Sequence, residues 1–216
     1  MLRKLSDLRG SVVEAADGDA GVLKDLYFDS DSWVVHLLGV DIGNTPPGRL
    51  VMLPTAHVLG VYLNGFPGKA IAVNLTKQQV QDYPPIGVDS AAAQRRGVAA
   101  FRDQTNQGSM HPLPRMAAIE PIEEPALLSA AGVSHDDIAA QDGELGRVKD
   151  LAIDDRSWRI HYLIVDTRKW WPGKKVLLDA HEIGEVDAAH AQIHVKMSRD
   201  GLRRAREYDP SVSLLW

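Results

Sequence analysis

The feature that most constrains this chain is an internal repeat. The stretch from Gly21 to Asp41 returns as Gly146 to Asp166, an offset of 125 positions (Gly21 to Gly146). From Asp17–Val61 to Asp142–Val186 the two copies align without a gap. Identities fall at Asp17/Asp142, Gly18/Gly143, Gly21/Gly146, Lys24/Lys149, Asp25/Asp150, Asp29/Asp154, Ser32/Ser157, Trp33/Trp158, His36/His161, Asp41/Asp166 and Pro47/Pro172, among others. Agreement at turn, charged and aromatic positions alike marks a tandem duplication, so both copies must fold to one plan.

Two copies in 216 residues leave each unit roughly 80 residues, a size at which a core is small and mutual packing or dimerisation helps. The hydrophobic (44%) and charged (25%) fractions are those of an ordinary globular protein. The absence of cysteine excludes disulfides and thiolate chemistry. Met1 to Asp7 lacks an apolar run of signal-peptide length, and no stretch reaches the roughly 18 apolar residues of a membrane span, so a soluble, cytoplasmic protein is expected. A net charge of −5 weighs against general nucleic-acid binding, which draws on clustered Lys and Arg.

Within the first repeat, Leu5 to Val13 leads in and Asp17-Gly18-Asp19 is a turn. A strand follows to Asp29, in which the apolar positions Leu23 and Leu26 differ in parity, so a β-bulge is expected at Lys24-Asp25. Asp29-Ser30-Asp31-Ser32 has the composition of a tight turn, and Trp33 to Ile42 reads as the second strand of a hairpin. Alternation puts His36 on the face of Leu38 and Val40. Further short strands follow the Pro46-Pro47-Gly48 break, and Thr76 caps a terminal helix over 77–83. The second repeat restates this plan, ending in a helix capped by Ser198 and running through Glu207. Many short strands with one terminal helix predict a mainly β fold of two small antiparallel β-barrels. The expected organisation is repeat 1 over 1–85, a partly helical linker over 86–125, and repeat 2 over 126–216.

The pattern Gly-x-x-Lys-Asp-Leu, then Asp, Trp, His, Leu-x-Val-Asp and Pro-Gly-(Arg/Lys)-x-Val-x-Leu, present twice, resembles the PRC-barrel family. That family includes the cytoplasmic domain of the photosynthetic reaction-centre H subunit and the C-terminal domain of a bacterial ribosome-maturation factor. The resemblance implies a small barrel used for protein association. The chain departs from the H subunit in lacking an N-terminal transmembrane helix, and from the maturation factor in having a second barrel in place of an RNA-associated domain. It looks most similar to the bacterial tandem form. The resemblance thus implies a scaffold or adaptor, with two alternatives: an RNA- or ribosome-associated factor, or a peripheral partner of a photosynthetic or electron-transfer membrane complex.

The candidate sites are few. Asp29, Asp31 and Ser32 resemble the start of a calcium loop, but Val34 and Val40 stand where the loop needs glycine and glutamate. His36 and His161 read as structural residues, and His161, His181, His190 and His194 lack the close spacing of a zinc site, so no metal or cofactor is expected. No nucleophile–base–acid set or glycine-rich phosphate loop stands out, which predicts a protein that is not an enzyme. Trp170-Trp171, where the first repeat has Thr45-Pro46, is a candidate interaction loop and the expected apolar contributor to a homodimer. Arg199, Arg203, Arg204 and Arg206 form either a solvated helix face or a patch for acidic protein or RNA.

Overall fold

The computed structural model describes residues 1–43, 49–63, 68–83, 127–167 and 174–209. The first repeat contains β1 (Leu2–Lys4), α1 (Leu5–Leu8), β2 (Val12–Ala15), β3 (Gly18–Asp29), β4 (Val35–Asp41), β5 (Leu50–Pro54), β6 (Val58–Tyr62), β7 (Ala70–Val73) and α2 (Lys77–Gln81). The second contains β8 (Leu127–Ser129), α3 (Ala130–Val133), β9 (Asp137–Ala140), β10 (Gly143–Asp154), β11 (Ile160–Asp166), β12 (Lys175–Asp179), β13 (Ile183–Asp187), β14 (Gln192–Val195) and α4 (Arg199–Arg203). The duplication therefore reaches back to Leu2 and Leu127, upstream of the gapless stretch that begins at Asp17 and Asp142. The expected linker, 86–125, lies outside the described residues.

The protein is mainly β, with two mixed sheets. Their strand orders are β5-β4-β3-β2-β7-β6, with β8 beside β3, and β12-β11-β10-β9-β14-β13, with β1 beside β10. The sheets are not purely antiparallel as expected, because β2 pairs in parallel with β7, and β9 with β14. Four strands separate each pair in sequence, which gives the chain the length a parallel return requires.

The leading strands are exchanged. Leu2, Arg3 and Lys4 of the first repeat pair with Asp154, Ile153 and Ala152 of the second. Reciprocally, Leu127, Leu128 and Ser129 pair with Asp29, Phe28 and Tyr27. A pseudo-twofold centre lies where the hairpin turns meet. There the Val35 amide donates to the Trp158 carbonyl at 2.8 Å, the Ile160 amide donates to the Trp33 carbonyl at 2.8 Å, and Val34 bridges Arg159.

The turns at this centre are built by their first aspartate. The Asp29 carboxylate accepts the Asp31 amide (2.8 Å) and the Ser32 hydroxyl (2.7 Å), and the Trp33 amide donates to the Asp29 carbonyl at 2.9 Å. Asp154 accepts the Arg156 amide at 2.7 Å in the same way. Trp33 and Trp158 consequently adopt φ of 56° and 59°, a left-handed conformation that costs a large side chain on the order of 1 kcal/mol. Burial of both indoles, 5% and 6% exposed, and stacking of Trp33 on Phe28 at 4.9 Å offset that cost. The two tryptophans thus occupy equally buried positions, as the duplication predicts.

Two bulges shape each long hairpin. The pairing passes from Leu23↔Val40 to Asp25↔Gly39, and from Val148↔Val165 to Asp150↔Ile164, so Lys24 and Lys149 are the extra residues at the expected place. A second bulge is new. Tyr27 pairs Leu37 and Phe28 pairs Val35, leaving His36 out, and His161 is left out in the same manner. This corrects the expectation that His36 shares a face with Leu38 and Val40: the extra residue shifts the alternation, His36 is exposed, and Val35, Leu38 and Val40 face the core. Leu37 packs instead with Tyr27 and Met52 on the opposite face.

One continuous core joins Leu23, Leu26, Phe28 and Leu38 of the first repeat to Leu151, Ile153, Ile160 and Leu163 of the second, which answers the small-core problem of either unit alone. The terminal helices are tied to the turn before each long strand, since Asp17 accepts the Lys77 amide at 2.7 Å and Asp142 the Arg199 amide at 3.0 Å. Helix α4 stops at Arg203 rather than Glu207. Beyond it the backbone joins β12, with the Leu177 amide donating to the Arg206 carbonyl and the Tyr208 amide to the Lys175 carbonyl, both at 2.8 Å, so edge pairing wins over helix propagation. Among the described residues no helix is long and apolar enough to cross a membrane.

Candidate functional site

The pseudo-twofold arrangement opens two related clefts between the repeats. The first, about 470 Å³, lies between β6 and the Asp155–Trp158 turn, with Met1 and Arg3 at its margin. The second, about 410 Å³, lies between β13 and the Ser30–Trp33 turn, with Arg159, His181 and Lys196 alongside. Each cleft thus takes one wall from each repeat, and each places a buried tryptophan behind the turn.

The two have diverged in chemistry. Strand β6 reads Val58-Leu59-Gly60-Val61-Tyr62, without a charge, whereas β13 reads Ile183-Gly184-Glu185-Val186-Asp187. Among the described residues the exposed large apolar side chains are Met1 (44%), Leu59 (69%) and Tyr62 (55%), and all three line the first cleft. Strand β6 ends its sheet path and pairs only with β7 among the described residues, while Val58 and Val61 pack inward. An end strand with solvent-facing apolar groups is a template for another strand.

Charge is distributed differently as well. In the first cleft Asp155 accepts both the Arg3 Nε at 2.9 Å and the Met1 ammonium at 2.8 Å. Arg156 is exposed, its backbone fixed by Asp154, and its guanidinium has no partner among the described residues. In the second cleft Asp31 and Glu185 stand with Arg159 and Lys196, so the charges balance.

The sites expected from sequence fare unevenly. Trp170 and Trp171 lie outside the described residues. The four arginines do not share one helix face. Arg199 turns back on its own repeat, donating through Nε to the Glu144 carbonyl at 3.2 Å and covering Gly143. Arg203 pairs with Asp200 at 3.2 Å, and the Arg204 Nε donates to the Asp200 carbonyl at 3.3 Å. Arg206 belongs to the segment beside β12. The histidines of the second repeat stay apart: His181 pairs with Asp179 and His190 with Asp187, each at 2.7 Å. The imidazole of His190, with neighbouring amides, holds the Asp187 carboxyl below its ordinary pKa. Among the described residues no group of three or more His, Asp or Glu is placed to hold a metal ion. Both ring nitrogens of His57 are engaged, by Asn74 at 2.9 Å and Tyr83 at 2.8 Å, which ties the turn before β6 to the chain after α2.

The repeated aspartates after the first bulge have a role that spacing alone did not show. Asp25 accepts the Ser129 hydroxyl, the Ala131 amide (2.9 Å) and the Leu26 amide (2.8 Å). Asp150 accepts the Ser6 hydroxyl and amide (3.2 Å) and the Leu151 amide (2.9 Å). Each aspartate therefore holds the leading helix of the opposite repeat. Burial pushes the Asp25 carboxyl above its ordinary pKa, outweighing the hydrogen bonds that favour its charge.

Fold and site together define a mainly β protein of two mixed sheets that exchange their leading strands and enclose two open clefts. Compared with known proteins, the chain is matched by no family model and by no curated sequence.

Proposed function

We propose that this chain is a non-enzymatic scaffold or adaptor for protein association, built from two PRC-like barrels. The observation that carries this reading is the convergence of Met1, Leu59 and Tyr62 on one cleft whose wall is an end strand. Exposed apolar groups gathered at one place mark a surface for association, whereas the same groups scattered singly would mean nothing. The alternative, an RNA- or ribosome-associated factor, draws on Arg199, Arg203, Arg204 and Arg206. It gains less support, since those side chains lie on two separate elements and Arg203 is matched by Asp200.

Affinity capture from the native cell, quantified by mass spectrometry, tests the reading with the unmodified chain beside Leu59→Lys with Tyr62→Lys. Partners enriched by the first and lost from the second are expected. Identical sets from both proteins would sink the assignment. RNA recovered in a salt-sensitive manner, and lost when the four arginines are replaced, would favour the alternative.

A further inference from the structure

We infer that the first cleft takes an extended apolar segment of another protein as an added strand on β6, with a carboxylate of that segment seated on Arg156. The inference rests on the association reading and gives the partner its chemistry.

The backbone supplies the first half. Strand β6 pairs with β7 on one side only among the described residues and bulges at Leu59, which turns that side chain outward; beyond the bulge the second edge of Gly60–Tyr62 presents amides and carbonyls in regular strand geometry, roughly 10 Å at strand rise. Main-chain hydrogen bonds on such an edge give affinity, and alternate side chains give selectivity. Leu59 and Tyr62 stand exposed beside that edge, and Trp158 and the Asp155–Arg156 turn form the facing wall. An incoming strand is therefore bounded by an apolar side and by the turn of the second repeat.

Charge supplies the second half. Arg3 and the Met1 ammonium both sit on Asp155, so of the cations lining this cleft Arg156 is the one with no side-chain partner among the described residues. A carboxylate on the guest completes it. A second copy of this chain fits less well, because its β6 carries no acid between Val58 and Tyr62 to meet Arg156. The sister cleft shows the contrast: Gly184 stands where β6 has Leu59, and Glu185 already faces Arg159 and Lys196 across the cleft, so it offers the same guest neither the exposed leucine nor an unmatched cation.

The experiment is selection of a random peptide display library on the immobilised full chain, followed by binding measurements with the synthetic consensus peptide. The expected consensus alternates β-branched or aromatic residues and carries Asp or Glu towards one end. Arg156→Glu should weaken that peptide about fivefold, and a peptide with Lys in place of the acid should bind this variant better than the unmodified chain. Arg156→Gln should fall between, and Leu59→Lys should abolish binding while circular dichroism confirms the fold. Hydrogen exchange should show the β6 amides protected by the peptide. A consensus without an acid, affinity indifferent to Arg156→Glu, or no enrichment overturns the inference. So does a dimer that Leu59→Lys dissociates, which would assign the cleft to a second copy. If capture from cells still depends on Leu59 and Tyr62 while the peptide results fail, the association reading stands and only the guest chemistry falls.

Discussion

Asp25 and Asp29 stand on the same strand and respond to acid in opposite directions. Burial raises the pKa of Asp25 above 3.8, more than the Ser129, Ala131 and Leu26 donors lower it. A carboxyl so placed takes up its proton more readily folded than unfolded. Its contribution to stability is fully present below pH 3.8 and is lost as pH rises through the raised value. For Asp29 burial also raises the pKa, but the Ser32 hydroxyl, the Asp31 and Ser32 amides and the charge of His36 together outweigh it, so the net shift is downward. That contribution is present above 3.8 and is lost as pH falls through the lowered value. Urea unfolding from about pH 3 to pH 7 should therefore show two opposite trends. The advantage of the unmodified chain over Asp25→Asn should grow as pH falls, and its advantage over Asp29→Asn should shrink. Parallel trends would mean that one of these environments is misread.

At the scale of elements, the exchanged leading strands are held differently on the two sides. Arg3 makes an ion pair with Asp155, whereas the matching Leu128 contributes a buried apolar side chain. Asp150 is nonetheless the common device, since it fastens Ser6 as Asp25 fastens Ala131. Asp150→Ala should cost about 0.5–1.5 kcal/mol, the net worth of a hydrogen bond whose exposed Ser6 donors water can satisfy instead. It should also raise amide exchange over Leu5–Leu8 while β6 and β7, in the same repeat as that helix, stay protected. Exchange rising in β6 and β7 instead would show that α1 belongs energetically to its own repeat. Much of this architecture is legible in the sequence. The Asp-Gly and Asp-Ser turns, the parity break at Leu23 and Leu26, and the caps at Thr76 and Ser198 each follow from local chemistry. The rest depends on long-range pairing. β1 and β8 are three-residue strands with no periodicity of their own, and each forms only because the other repeat offers an edge. The bulge at His36 escapes because Val34 to Val40 is apolar enough to read as simple alternation, and α4 is overestimated because the pull of β12 on Arg206 has no local signature. The first cleft was missed for a similar reason: Val58–Tyr62 reads as an ordinary short strand until its lack of charge is set against Glu185 and Asp187.

For the whole molecule, a shared core and reciprocal strands mean that neither repeat is complete without the other. A protease site engineered at Gly108 and then cut should leave the two halves associated through gel filtration. They should part only in denaturant, in a single transition with coincident fluorescence and circular dichroism curves. Two separate transitions, or halves that elute apart before denaturant is added, would show that the repeats are independent domains. The Val34–Arg159 bridge has a further consequence, which concerns how such a molecule can change. Two identical chains arranged about that axis would carry every substitution twice, so a leucine gained at one rim would appear at the other. Here one chain supplies both halves, and Leu59 faces solvent where its twin position is Gly184, Tyr62 where its twin is Asp187. Each rim is free to change on its own, while the tryptophans and aspartates that hold the halves together remain bound to their counterparts.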